Sequence, residues 1–295
     1  MGRERGGRLF RDWRMRGSMG DMSVPTVTLN DGHRIPQLGF GVFKIEESDA
    51  ERAVSDALEI GYRHIDTAAV YRNELGVGRA IAASGIPRDE LFVTTKVYNN
   101  DQGRKRTLAA IQRSLDKLDM ERVDLYLIHW PSPAQDRYVE TWRTLEEIRD
   151  RGQATSIGVS NFLVPHLERI IAETGVVPAV DQIELHPYHQ QPAVTAFAAA
   201  HDIAIEGWGP LGQGKYPLLE LPEITSIARA HGKSPAQVVL RWHIQAGHIV
   251  FPKSTHRQRI AENFDVFDFE LSADEQAAIT GLERAGRVGG DPNKS

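Results

Sequence analysis

Cysteine is absent from this chain of 295 residues. That omission excludes disulfides, thiolate zinc sites and thiol nucleophiles. No apolar run approaches the roughly 20 residues of a bilayer span. No apolar stretch follows the first charges in the manner of a secretory leader. An excess of either charge is also missing. The formal net charge is −5, which gives no general argument for nucleic acid or an anionic membrane as a partner. Nothing resembling a linker or a low-complexity tract interrupts the interior. What remains is ordinary globular composition, 41% hydrophobic and 25% charged. The expectation is a cytoplasmic protein with no membrane or nucleic-acid partner, no metal and no obligate protein partner.

Residues 1–22, "MGRERGGRLFRDWRMRGSMGDM", differ in being rich in Arg and Gly. They are expected to be a disordered extension, with the working protein beginning near Met19 or Met22. Residues 23–295 are expected to form one domain. Its first element is a hairpin, "TVTLNDGHRI", in which Asp31-Gly32 suits a type I′ turn.

After the hairpin, short apolar runs alternate with amphipathic stretches. The runs are "PQLGFG", "HIDT", "LFVTTKV", "VDLYLIHW", "SIGVSN", "AVDQIEL", "AIEGWG" and "HIVFPKS". Helices are expected over Ser48 to Ile60, Arg104 to Leu118, Tyr138 to Arg149, Pro165 to Glu173, Pro192 to His201, Pro222 to His231 and Pro235 to Ala246. Ser48 is placed to cap the first of them, and Gly61, Gly85, Gly152 and Gly175 to end others. Strand and helix in strict alternation imply parallel strands with right-handed crossovers. Eight such strands favour an α/β fold of the closed (β/α)8 (TIM) barrel type over an open doubly wound sheet, with the N-terminal β-hairpin plugging the bottom.

In such barrels the chemistry collects at the carboxyl ends of the strands. Here those ends carry Asp66, Lys96, His129-Trp130, Ser160-Asn161, Gln182 with Glu184, Trp208-Gly209 and Lys253-Ser254. Taken singly, each has an ordinary structural explanation. A ring of polar groups at one face is harder to explain that way, because buried polar groups are costly unless partnered. Four of them, counting Tyr71 in the loop behind Asp66, also make chemical sense together. A phenol with an ordinary pKa of about 10 donates a proton poorly near neutrality. An adjacent ammonium, Lys96, lowers that value. Asp66 holds Lys96 charged and in place, and His129 orients a carbonyl or the phenol. The set suits protonation of a carbonyl oxygen as it becomes an alkoxide.

The segments "GYRHIDTAAVYRNELGVG", "TTKVYNND", "YLIHWP", "GVSNF", "QIELHPY" and "FPKSTHRQRIAEN" resemble, in this order and spacing, the aldo-keto reductase superfamily. The flavour is that of bacterial members similar to 2,5-diketo-D-gluconate reductase, and the resemblance runs from about Val27 to Leu282. It implies a (β/α)8 barrel, a nicotinamide cofactor and a catalytic tetrad of Asp66, Tyr71, Lys96 and His129. It also implies that Trp208 stacks on the nicotinamide and that Ser160, Asn161 and Gln182 bind its carboxamide. Gly41, Gly209 and Leu211 would join the cofactor groove, and Glu262 and Asn263 would reach the adenine end. "GWGPLG" fits the dinucleotide G-x-G-x-x-G by letter, but Pro210 lies within it and no helix start follows, so it is rejected as that fingerprint. Lys253, Ser254, Thr255 and Arg259 surround a helix start with donors, which suits a 2′-phosphate and favours NADPH over NADH. Phe43, Asn99, His129 and Trp130 match substrate-lining positions, with Tyr98 where many relatives carry Trp. The short tail suggests an open pocket.

The expected activity is reduction of aldehydes and ketones, including dicarbonyls or keto sugar acids, to alcohols. The alternatives are an NADPH-binding barrel with a sensing or regulatory role and incidental catalysis, a lyase using Lys96 as a Schiff base, and a metal hydrolase. The last would want an H-x-H pair on the first strand, which is missing, and "HPYH" offers two ligands at most.

Overall fold

The structure is a computed structural model and describes residues 24–295. The expected extension over residues 1–22 lies outside the described residues. Strands β1 (Thr26–Thr28) and β2 (Arg34–Pro36) pair antiparallel, with Thr28 opposite Arg34. The turn between them is not the expected type I′. That turn needs positive φ at both Asp31 and Gly32, and only Gly32 has it, at 87°. Gly32 N–H donates to the Leu29 carbonyl at 2.9 Å, and Leu29 N–H to the His33 carbonyl at 2.8 Å. This is a three-residue loop with a bulge at Gly32. Asp31 escapes the left-handed region, which is costly for a residue with a Cβ, and its carboxylate accepts the His33 N–H instead.

All eight runs are strands of one parallel sheet in sequence order: β3 (Phe40–Gly41), β4 (His64–Asp66), β5 (Phe92–Val97), β6 (Val123–Ile128), β7 (Ala154–Ser160), β8 (Val180–Glu184), β9 (Ala204–Trp208) and β10 (Ile249–Val250). The sheet closes on itself. Gly39 N–H donates to the Val250 carbonyl at 2.9 Å, Val250 N–H donates to the Gln37 carbonyl at 3.1 Å, and Leu38 bridges Val250 in parallel. The fold is therefore a (β/α)8 barrel with an N-terminal hairpin. Leu29 and Ile35 of the hairpin region are buried with Phe92, Leu125, Ala179, Val180 and Ile249, which lie at or near the amino ends of their strands. Each such buried aliphatic side chain contributes about 1.5–3 kcal/mol, so the hairpin is a plug for the bottom of the barrel.

The connections are helical: α1 (Glu47–Ile60), α2 (Glu74–Ala83), α3 (Arg104–Leu118), α4 (Tyr138–Asp150), α5 (Val164–Thr174), α6 (Pro192–Ala200), α7 (Pro222–His231), α8 (Pro235–Gln245), α9 (Arg257–Phe264) and α10 (Ala273–Thr280). Gly61 and Gly175 end α1 and α5 as expected. Ser48 does not cap α1. The Glu46 carbonyl already accepts from Asp49 and Ala50 N–H, so the helix starts earlier and Ser48 falls inside its first turn.

Candidate active site

Asp66, the last residue of β4, and Lys96, the last but one of β5, face each other inside the barrel. Lys96 is fully buried, and its ammonium donates to Asp66 Oδ1 at 2.7 Å and to the Thr67 carbonyl at 2.9 Å. Tyr71 sits in a single 3-10 turn after β4, with Lys96 Nζ 5.3 Å from its ring centre. His129, just beyond β6, presents its ring edge-on to Tyr71 at 5.6 Å between centres. The structure thus brings together Asp66, Lys96 and His129 from three strand ends and Tyr71 from the loop behind Asp66.

Their protonation is set by burial and neighbours. Burial works against the charge on Lys96, but Asp66 and Tyr71 outweigh it and hold its proton more tightly than in an ordinary lysine. Burial and the nearby Lys96 push His129 well below the usual imidazole range, so it is neutral. For Tyr71 the balance differs from the expectation. Burial pushes the phenol above its ordinary value, Lys96 pulls it down, and Asp66 pushes it up again. Lys96 moderates the phenol without bringing it below an ordinary tyrosine, so Tyr71 stands protonated near neutrality.

Ser160, Asn161, Gln182 and Trp208 form one network next to the tetrad. Asn161 takes a left-handed conformation, φ 62°, at the end of β7. Its amide donates to the His129 carbonyl at 2.9 Å and to Ser160 Oγ at 3.0 Å, and its oxygen accepts from Trp208 Nε1 at 2.8 Å. Ser160 Oγ donates to the Gln182 carbonyl at 2.7 Å. The Gln182 amide nitrogen donates to Asp66 Oδ1 at 2.9 Å and to Glu206 Oε2 at 2.7 Å. Both its hydrogens are committed to Asp66 and Glu206, so Gln182 has only its oxygen to offer an incoming carboxamide.

The phosphate-end residues gather about 400 Å³ of open space lined by Leu211, Ser234, Lys253, Ser254, Arg259, Glu262 and Asn263, among others. Helix α9 begins at Arg257, so Lys253, Ser254 and Thr255 precede it. Ser254 is buried and its Oγ accepts the His256 N–H at 3.0 Å. Lys253 and Arg259 are exposed. Gly41, at the end of β3, is tightly packed, since a Cβ there would stand 3.2 Å from Phe251 Cβ. Gly209 is left-handed, φ 62°, and only a short 3-10 turn over Gly212–Gly214 follows, so no helix opens behind "GWGPLG".

The mouth is aromatic. Phe43 is exposed and lies 5.1 Å from the Tyr71 ring, and Tyr98 lies 6.3 Å from the His129 ring. Asn99 has a buried side-chain oxygen without a partner among the described residues. The expectation of an open pocket fails at the tail, which folds back over this face. Glu184, buried at the end of β8, accepts from Val288 N–H at 2.5 Å, Gly289 N–H at 2.8 Å and His186 Nε2 at 3.1 Å. Gly289 lies against Trp208 so closely that a Cβ would come within 2.4 Å of the ring, and Gly290 faces Trp130. Arg284 stacks on Tyr188 at 3.3 Å. A short tail still covers the mouth because a carboxylate anchors it. Glu184 was visible at its strand end, but its partners more than a hundred residues away were not. Glu206, in the middle of "AIEGW", was missed. A carboxylate within an apolar run was the available signal.

A family model described as "Aldo/keto reductase family" matches residues 37–284. The "Methylglyoxal reductase DkgA" of Yersinia pestis is 51% identical over 268 residues, covering 91% of this chain and 96% of that protein. The crystal structure of an aldo/keto reductase from Brucella melitensis superposes with a TM-score of 0.86 at 56% identity, over 88% of this chain and 98% of that one. A mutant of Gox0644 in complex with NADPH superposes with a TM-score of 0.88 at 47% identity, over 92% of this chain and 98% of that one.

Proposed function

The chain belongs to the aldo/keto reductase family and is an oxidoreductase that reduces carbonyl compounds with NADPH, and we propose that Asp66, Tyr71, Lys96 and His129 carry the reaction. The observation behind this reading is the buried Lys96–Asp66 pair beside the Tyr71 and His129 rings at the carboxyl mouth of the barrel. The reduced nicotinamide, once bound, supplies the hydride.

The open space beside α9 fits the cofactor. Its lining mixes apolar Leu211 and Leu219 with polar Ser234, Ser254, Glu262 and Asn263, and it includes the cations Lys253 and Arg259. They would hold the 2′-phosphate with Ser254 and Thr255, while Glu262 and Asn263 reach the adenine. Trp208, steadied by Asn161, would stack on the nicotinamide. Gln182 would accept from its carboxamide, with Ser160, Asn161, Gly41, Gly209 and Leu211 completing the groove. Tyr71 donates its proton to the carbonyl oxygen as that oxygen gains charge. The ammonium of Lys96 stabilises the phenolate left behind, and Asp66 keeps Lys96 charged. Neutral His129 orients the carbonyl.

The substrate we favour is a small dicarbonyl such as methylglyoxal, received among Phe43, Asn99 and Trp130 beneath the tail. The name of the Yersinia pestis relative supports this. The sensing alternative is not favoured, since relatives matching nearly the whole chain carry reductase names. The same reading takes residues 23–295 as a single domain acting in the cytoplasm without an obligate partner. Among the described residues no helix is long and apolar enough to cross a membrane. The test is oxidation of NADPH or NADH, followed at the nicotinamide absorbance, with methylglyoxal, phenylglyoxal, a nitrobenzaldehyde and a diketo sugar acid. Turnover with NADPH preferred supports the reading. NADPH binding without turnover on any of them would overturn the catalytic assignment.

A further inference from the structure

Glu206 takes no part in the hydride and proton transfers, yet it is built into the same cluster. It stands on β9 with no exposed surface, in register with Gln182 on β8. Its Oε2 accepts one hydrogen of the Gln182 amide at 2.7 Å, and the other goes to Asp66 Oδ1 at 2.9 Å. Its Oε1 is buried and has no partner among the described residues. Tyr71, Lys96, Asp66, Gln182 and Glu206 therefore succeed one another in an unbroken line from the mouth into the barrel.

We propose that Glu206 is a positioning residue for the reductase, and that carbonyl reduction requires its carboxyl to be protonated so that the cluster beneath Tyr71 carries no net charge. The proposal rests on the reductase activity assigned to this same site. With Glu206 neutral, Asp66 and Lys96 cancel. With Glu206 ionised, one negative charge is left in a buried site where, among the described residues, a single amide hydrogen is its only donor. A buried carboxylate so poorly supplied favours its neutral form. The groups acting on Glu206 agree. Burial and then Asp66 of β4 push its carboxyl up to about 8, against the Gln182 hydrogen bond and Lys96 of β5. Asp181, also on β8, adds no charge, because burial, with Glu206 nearby, pushes its own carboxyl well up. Strand β10 presents only Ile249 and Val250. His243 of α8 stands against Gly207 and is kept neutral by burial. Ionisation of Glu206 adds negative charge next to Lys96 and tightens its hold on its proton. By the same sign it tightens the hold of Tyr71, which becomes a poorer acid.

The experiment is the pH profile of kcat for NADPH-dependent reduction of methylglyoxal by the wild type and Glu206→Gln, a neutral isostere. The wild type is expected to lose kcat as pH rises through about 8. Glu206→Gln should keep its rate to at least one unit higher, so that near pH 9 it exceeds the wild type by about tenfold. NADPH binding, read by tryptophan fluorescence, should not change. A carboxyl infrared band should disappear in the wild type over the same pH range and be missing from the variant. Superimposable kcat profiles would overturn the proposal while leaving the reductase activity intact. Absence of turnover in the wild type would overturn both. Should the variant fail to fold, the wild type decides. A carboxyl band that titrates with kcat supports the proposal, and one that persists while kcat falls refutes it.

Discussion

Replacing Lys96 with Met removes one charge and keeps most of the volume. Lys96 Nζ is 5.3 Å from the Tyr71 ring centre. At an effective dielectric constant of about 20, a charge at that distance is worth about 3 kcal/mol to a phenolate. If proton transfer in the transition state feels all of it, kcat falls by about two hundredfold, within the range general acid catalysis supplies. Stability should fall as well. Asp66 loses its 2.7 Å partner and, among the described residues, its carboxylate keeps only the Gln182 amide. Breaking a buried pair from one side costs about 3–5 kcal/mol. The two effects separate in the double variant Lys96→Met, Asp66→Asn. It removes the orphaned anion and should regain at least half of the lost stability while remaining slow. Urea unfolding gives the stabilities, NADPH absorbance gives kcat, and fluorescence quenching confirms that cofactor still binds. A kcat within about threefold of wild type in the single variant, or a double variant that recovers rate along with stability, would refute the electrostatic role of Lys96.

Tyr71→Phe keeps the ring against Phe43 and His129 and should lower kcat by about 10²–10⁴ with NADPH affinity unchanged; normal turnover would remove it as the acid. Arg259→Ala should raise KM for NADPH by about tenfold and that for NADH far less, since a charge-assisted contact is worth about 1.5–3 kcal/mol; equal shifts would mean that Arg259 does not touch the 2′-phosphate. Glu184→Gln weakens the anchor of Val288 and Gly289 and should raise KM for the carbonyl severalfold while sparing KM for NADPH; a rise for the cofactor alone would contradict that role for the tail. Glu206 sets a stability slope with a definite sign. Between its ordinary value of 4.5 and about 8 the folded chain keeps a proton that the unfolded chain releases, so stability falls as pH rises through that window. Glu206→Gln removes this and should be up to about 3 kcal/mol more stable near neutrality, checked by urea unfolding at several pH values.

Local periodicity was enough to set the alternation of strand and helix and, through it, the barrel. Strands and helices have different periods, and parallel strands joined by helices can close into a barrel whose carboxyl ends converge. Asp66, Lys96 and His129 at three such ends were therefore legible as neighbours, and Tyr71 came with them through the loop behind Asp66. The end of α1 at Gly61 was legible for a local reason, since a glycine there accepts a backbone angle other residues resist. Other features waited for the tertiary structure. The hairpin turn depended on where Asp31 found a hydrogen bond, and the cover over the mouth on Glu184 reaching Val288 and Gly289. The pairing of Gln182 with both Asp66 and Glu206, and the direction in which Tyr71 holds its proton, depended on burial and on charges brought together across the barrel. Periodicity and backbone preference act between near neighbours in the chain. Electrostatics and desolvation act through space, and the distances that set them exist only once the barrel has closed.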